Sequence, residues 1–170
     1  MLTKPGLDEI EAPYRASFDR VPEGNVLEVM GREIEATARL LSTVDENKAD
    51  YRYAPGKWSI KEVLGHLIDS ERIMSYRALS IARGETNDLP GYEQDDYVVT
   101  GRFDGRTLSH LVREYRAVRA STIALYEGFD DGMLLARGRA SGCSFSVRAL
   151  AYVMCGHEIH HTRILRERYL

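Results

Sequence analysis

Cysteine is nearly absent from this chain: Cys143 and Cys155 stand 12 apart, with no C-x-x-C pair. A disulfide-rich mini-protein is excluded, and reduced thiols make a cytoplasmic protein the expectation. Proline is scarce, and Pro5, Pro13 and Pro22, three of its five, fall in the first 24 residues. That segment reads as an irregular arm, with Tyr14 and Phe18 placed to pin it to the body. Neither sign of charge dominates, because 23 Lys and Arg are interleaved with 26 Asp and Glu for a net charge of −3. Binding nucleic acid through its phosphates needs clustered cations, so no nucleic-acid partner is expected. Arg163, Arg166 and Arg168 read instead as cations at the end of a helix. Long apolar runs are missing too. The last helix offers only the eight uncharged residues Ala149 to Gly156, against about 20 for a membrane span. Met1 to Arg20 carries Asp8, Glu9 and Glu11 and lacks the apolar core of a signal peptide. What remains is 170 residues, 44% hydrophobic and 29% charged, enough for one domain over 1–170 with its own core.

Helical periodicity is plentiful, and no segment alternates convincingly as a strand. The first helix is expected from about Asn25 to Val44, with Leu27, Met30, Ile34, Thr37, Leu41 and Val44 along one stripe. The second starts at Ser59, where Ser59 and Glu62 form a capping box and Trp58 and Val63 stand as a hydrophobic staple. It runs to about Arg83, and Gly84 ends it. A long connection, Gly84 to Arg106, carries Glu85, Asp88, Glu93, Asp95 and Asp96. A connection this long is uncommon and usually functional; it reads as a lid or as a crossing from one end of the bundle to the other. The third helix spans about Thr107 to Gly128, with Leu108, Leu111, Tyr115, Val118, Thr122 and Leu125 inward. The fourth follows the loop Phe129 to Phe145, is capped by Ser146, and carries Val147, Leu150, Met154, His157, His161, Ile164 and Arg168 on its stripe. Four long amphipathic helices give an all-α four-helix bundle. The long connection makes the second and third helices parallel, an up-down-down-up order.

Two inward positions of the fourth helix are histidines. His157 and His161 are four residues apart, so their side chains leave one face about one turn apart. Such a pair can grip one metal ion or simply pack in the core. His66 lies about 10 Å along the second helix from Ser59, and His161 about 10 Å from Arg168. Antiparallel helices bring these levels together, whereas parallel helices would miss by about 12 Å. His160 points about 100° away from His161, so it reads as a flanking residue or as a ligand exchanged with His161. Asp69, Glu158 and Glu62 are carboxylates that either orient an imidazole or act as solvated or capping groups. His110 reads as surface, and Cys155 as a buried thiol.

The run Lys57-Trp58-Ser59-Ile60-Lys61-Glu62-Val63-Leu64-Gly65-His66-Leu67, followed late by Gly156-His157-Glu158-Ile159-His160-His161, resembles the DinB-like (damage-inducible) four-helix bundle family. The resemblance implies a divalent metal, zinc or nickel, on His66, His157 and His161, and a homodimer. It also implies a small-molecule substrate, with thiol-dependent transferases and a thiol-dependent isomerase among the relatives. Three imidazoles would leave coordination positions open, the pattern of a catalytic zinc site. The expected function is a metal-dependent thiol transferase or hydrolase. The alternatives are a non-catalytic metal-binding stress-response or interaction protein and a plain bundle whose histidines only pack. Metal affinity is expected to fall below about pH 6.5, where free imidazole protonates.

Overall fold

The computed structural model describes residue 2 and residues 4–170. Met1 and Thr3 of the expected arm lie outside the described residues. The arm is more ordered than its prolines suggested. After two 3-10 turns, Leu7–Glu9 and Ala12–Tyr14, it forms a short helix α1, Arg15–Asp19. Tyr14 packs edge-on to Phe145 with ring centroids 4.8 Å apart, and Phe18 lies 5.6 Å from Tyr152, so both aromatics anchor the arm as expected.

The bundle consists of α2 (Val26–Ser42), α3 (Ile60–Ala82), α5 (Leu108–Glu127) and α7 (Val147–Ile164). Each begins at a side-chain cap. Asn25, Ser59, Thr107 and Ser146 accept from backbone N–H groups two or three residues on. The capping box at Ser59 is complete, with Glu62 accepting from the Ser59 N–H at 2.6 Å. Gly84, at φ +91°, takes the left-handed conformation just beyond α3. After Ile164 the last helix widens into a π turn, Leu165–Tyr169. Arg168 is exposed rather than inward, because that wider turn rotates the stripe away.

Cross-helix partners fix the directions. Glu71 and Ser75 of α3 meet Arg119 and Thr122 of α5, so residue numbers rise together and the helices are parallel. His66 and Ser75 meet His157 and Met154 of α7, so α3 and α7 are antiparallel. Met30 and Glu35 of α2 meet Arg119 and Arg116 of α5, so those two are antiparallel as well. The order is up-down-down-up.

The connections hold structure that periodicity did not reveal. The segment between α3 and α5 contains a two-residue strand β1 (Asp88–Leu89), the helix α4 (Gln94–Gly101) and a 3-10 turn, Phe103–Gly105. The segment before α7 contains α6 (Asp131–Leu135) and a hairpin of β2 (Arg137–Ala140) and β3 (Cys143–Ser146). β1 adds parallel to β2, giving a three-stranded sheet that corrects the strandless reading. Ser141 and Gly142 turn the hairpin at φ +54° and +76°, the geometry of a tight two-residue loop. These strands are too short and polar to alternate visibly.

Two apolar clusters form the core, one around α1, the sheet and the first half of α7, the other around the start of α3 and the π turn. Between them lies a polar layer built on Arg119.

The arm reaches α7 at Gly156. A Cβ there would fall 1.7 Å from the Ser17 carbonyl oxygen, so only glycine permits this approach. Gly156→Ala is expected to cost roughly 1–3 kcal/mol by forcing the backbones apart. Thermal melts should register that loss, and trypsin should cut faster at Arg15 and Arg20 of the loosened arm.

Candidate metal centre

The bundle brings the three expected histidines together. His66 stands on the second turn of α3, in a register set by the Ser59 cap, and His157 and His161 project from one face of α7. The His157 Nε2 lies 3.0 Å from the His66 Nε2 and 3.1 Å from the His161 Nε2. One ring nitrogen of each lies within 4.8 Å of the other two. A neutral imidazole nitrogen offers either one proton or one lone pair, so the His157 Nε2 cannot make two good hydrogen bonds at once. A shared cation would resolve the conflict. Tetrahedral ligands about 2.1 Å from zinc stand about 3.4 Å apart, so the two short spacings lie within a few tenths of an ångström of a shared site.

Burial keeps the imidazoles neutral. It pushes His66 down to about 4, with Asp95 pulling weakly the other way. It pushes His161 down to about 3, and the neighbouring His66 adds to the shift. His157 is also held well below the ordinary imidazole value, by burial first and then by both partners. The acid threshold expected from free imidazole therefore moves from about pH 6.5 toward 4.

Ser70, one turn after His66, has its hydroxyl 3.4 Å from the His66 Nδ1 and 2.8 Å from the Tyr92 hydroxyl. A proton on Nδ1, facing this hydroxyl, leaves the Nε2 lone pair free for the cluster. Trp58 covers the other side. Its ring centroid lies 4.7 Å from that of His66 and 6.5 Å from that of His161. The Tyr169 O–H holds Trp58 in place by donating to its carbonyl at 2.6 Å.

The carboxylate candidates go elsewhere. Asp69 lies 3.9 Å from Arg72. Glu62 completes the cap and binds Arg52. Glu158 is fully buried and accepts from Arg119 at 2.7 Å and from Thr37 at 2.9 Å. His160 lies outside the cluster, its ring 5.1 Å from His161. His110 is exposed, and burial pushes the Cys155 thiol up to about 12, leaving it inert.

His66 and His157 open onto a cavity of about 760 Å³. Gly91, Tyr92, Glu93 and Gln94 of the long connection form one wall, and Tyr14 and Ser17 of the arm form another. Arg77 and Tyr115 also line it. The sequence reading did not single out Ser70, Tyr92 or Arg77. Ser70 and Arg77 carried a signal, since four and eleven residues after His66 return to its helical face. Tyr92 sits on an aperiodic segment and carried none.

A cluster of three histidines thus stands at the mouth of a cavity in an up-down-down-up bundle, and comparison supplies the family. The DinB superfamily matches residues 30–165. The chain belongs to that superfamily. Among solved structures it is similar to YfiT from Bacillus subtilis, described as "a probable metal-dependent hydrolase with an unusual four-helix bundle topology". That match has a TM-score of 0.75 at 16% identity and covers 97% of this chain and 91% of that one. It is also similar to a mycothiol-dependent maleylpyruvate isomerase, with a TM-score of 0.70 at 12% identity over 86% of this chain. The match spans 61% of the isomerase's length. At these identities the likeness is one of fold. No curated protein matches.

Proposed function

We propose that this chain is a metal-dependent enzyme that holds zinc or nickel on His66, His157 and His161 and transfers a small-molecule thiol. The observation that carries this reading is a cluster of three neutral imidazoles opening on a cavity large enough for a small-molecule ligand. Only three ligating groups converge there among the described residues, which suits catalysis better than a closed structural site. The non-catalytic alternative needs a filled coordination sphere, and Glu158, the nearest acid in sequence, is committed to Arg119.

A divalent cation at this place would supply Lewis acidity, lowering the pKa of a thiol or water that reaches it. The protein does the rest. Ser70 faces His66 on the nitrogen turned away from the cluster. Trp58 shields two of the rings from water. The cavity admits the second reactant beside His157. Among the carboxylates lining it, Glu71 is tied to Arg119 and Glu93 stands exposed at the rim. Neither is hydrogen-bonded to the histidine cluster, which favours thiol transfer because an activated thiol needs no general base. Hydrolysis is the second reading, supported by the description of YfiT.

The test is turnover by zinc- or nickel-loaded protein with cysteine or glutathione and monochlorobimane, beside p-nitrophenyl acetate without thiol. Thiol conjugation that stops with chelator and returns with metal supports transfer. Chelator-sensitive ester cleavage alone moves the assignment to hydrolysis, and loaded protein inert in both assays overturns the enzyme reading. Ser70→Ala should weaken metal affinity by about tenfold to a hundredfold, the usual cost of losing an outer partner of a ligating histidine, as measured by competition with a fluorescent zinc chelator.

A further inference from the structure

The fold buries two arginines among the described residues, Arg77 at 2% and Arg119 at 1% exposure. Arg119 faces two carboxylates. Arg77 faces none. Its Nη2 donates to the Pro90 carbonyl at 2.8 Å and to the Ser141 hydroxyl at 2.7 Å, and its Nη1 lies 3.6 Å from the Met74 sulfur. A guanidinium has five N–H donors, so two remain without a protein acceptor. A buried charge without a countercharge is costly, and this one lines the cavity that also holds His66 and His157.

Arg77 follows His66 by eleven residues, three turns and about 20° around α3, so both face the same way. The rise between them is about 16 Å. The Arg77 side chain folds back to Met74, eight residues from His66, which leaves a span of about 12 Å along the helix between guanidinium and imidazole. Leu67, Met74, Val153 and Met154 line the cavity and offer apolar wall for the middle of such a ligand.

We infer that the cavity takes an elongated monocarboxylate, its carboxylate paired with Arg77 and its reactive end at the histidine cluster. A single buried monocation balances one carboxylate, whereas a phosphate dianion would bring an uncompensated charge into the cavity. Pro90 and Ser141 hold the guanidinium from behind, through β1–β2 and the hairpin turn, so the short sheet aims this side chain. The two-ended placement rests on the metal reading above; the arginine end does not.

The experiment uses matched probes differing only at one end. Calorimetry compares 6-mercaptohexanoate with 6-mercaptohexanol on zinc-loaded protein, and hexanoate with hexanol on metal-free protein. The carboxylate should bind about tenfold to a hundredfold tighter than the alcohol in both pairs, as expected for hydrogen bonds to a charged group. Arg77→Gln should bring the ratio close to one while metal content and alcohol affinity stay unchanged. A preference that survives in folded Arg77→Gln overturns the inference, and so does a wild-type ratio near one. Wild-type protein that takes no zinc but still prefers hexanoate through Arg77 overturns the metal reading alone. Should Arg77→Gln fail to fold, Arg77→Lys serves as the second variant; it keeps the charge but loses the planar fork, and should retain only part of the preference.

Discussion

His157→Ala will hold less than about a tenth of a divalent ion per chain where the wild type holds about one, because a lost ligand costs more than the tenfold to hundredfold of a lost outer partner. His157 is the hub of the cluster, with its Nε2 within 3.1 Å of both other rings. The remaining pair, His66 and His161, would have to grip the ion from different helices. His160→Ala serves as the control and should leave metal content unchanged, since His160 lies outside the cluster. A His160→Ala variant that loses the ion while His157→Ala keeps it would reverse the ligand assignment. Chelator should lower the melting temperature of the wild type, because an ion at 100 times its Kd contributes about 2.7 kcal/mol. The same treatment should leave His157→Ala unmoved.

Acid should act on the metal-free protein in a defined direction. Unfolded imidazoles titrate near 6.5, but His66 and His161 in the fold titrate near 4 and 3. The unfolded chain therefore binds protons that the folded chain refuses. The stability these groups contribute is complete above about pH 6.5 and falls below it at about 1.4 kcal/mol per pH unit for each histidine. The fall ends once pH passes the folded values. Denaturant melts of chelated protein between pH 7.5 and 4 measure the slope, and a flat profile would contradict the burial of these rings.

The helices and the convergence of the three histidines were legible in the sequence because each rests on a periodic or local signal. Ser59 and Glu62 announce a helix start within four residues. His157 and His161 share a face by spacing alone, and His66 matches their level once the long connection makes α3 and α7 antiparallel. The rest depended on contacts far apart in the chain. β2 and β3 are four residues each, too short to show a period. Trp58 reads locally as a staple, and its second role against His66 and His161 appears only when α7 arrives. Asp69 was the attractive partner for His66 because it is a carboxylate. The three-residue step turns it toward Arg72, whereas the four-residue step to Ser70 stays over the ring. Glu158 reads from sequence as either an imidazole-orienting or a solvated carboxylate, and only its partner on α5 explains its burial.

That partner has the largest expected effect on stability. Arg119→Ala should cost about 3–5 kcal/mol, the usual consequence of leaving buried charge uncompensated, and lower the melting temperature by roughly 10 °C in a chain of this length. The Arg119 guanidinium is fully engaged: Nε and Nη2 donate to Glu71 at 2.7 Å, Nη1 donates to Glu158 at 2.7 Å and to the Met30 carbonyl at 3.2 Å, and Nη2 also reaches the Tyr115 hydroxyl. One side chain thus joins α2, α3, α5 and α7 at the level between the two apolar clusters. Without it, two buried carboxylates face each other across a cavity. Burial already raises the Glu158 carboxyl above its ordinary value despite the pull of Arg119, and removing the cation removes that pull. The variant's Glu158 should then bind a proton in the fold that it does not bind when unfolded, so the variant gains stability as pH falls toward the ordinary carboxylate range. The deficit against wild type should be largest near pH 8 and smaller near pH 5, as read by paired denaturant melts. A deficit that does not change with pH would mean that packing, not charge, is what Arg119 contributes. Glu158 adjoins His157 in sequence, so loss of this pairing should also loosen the turn of α7 that carries the cluster. Metal content measured in the same variant then tests whether the polar layer serves the fold alone or also holds the histidines in register.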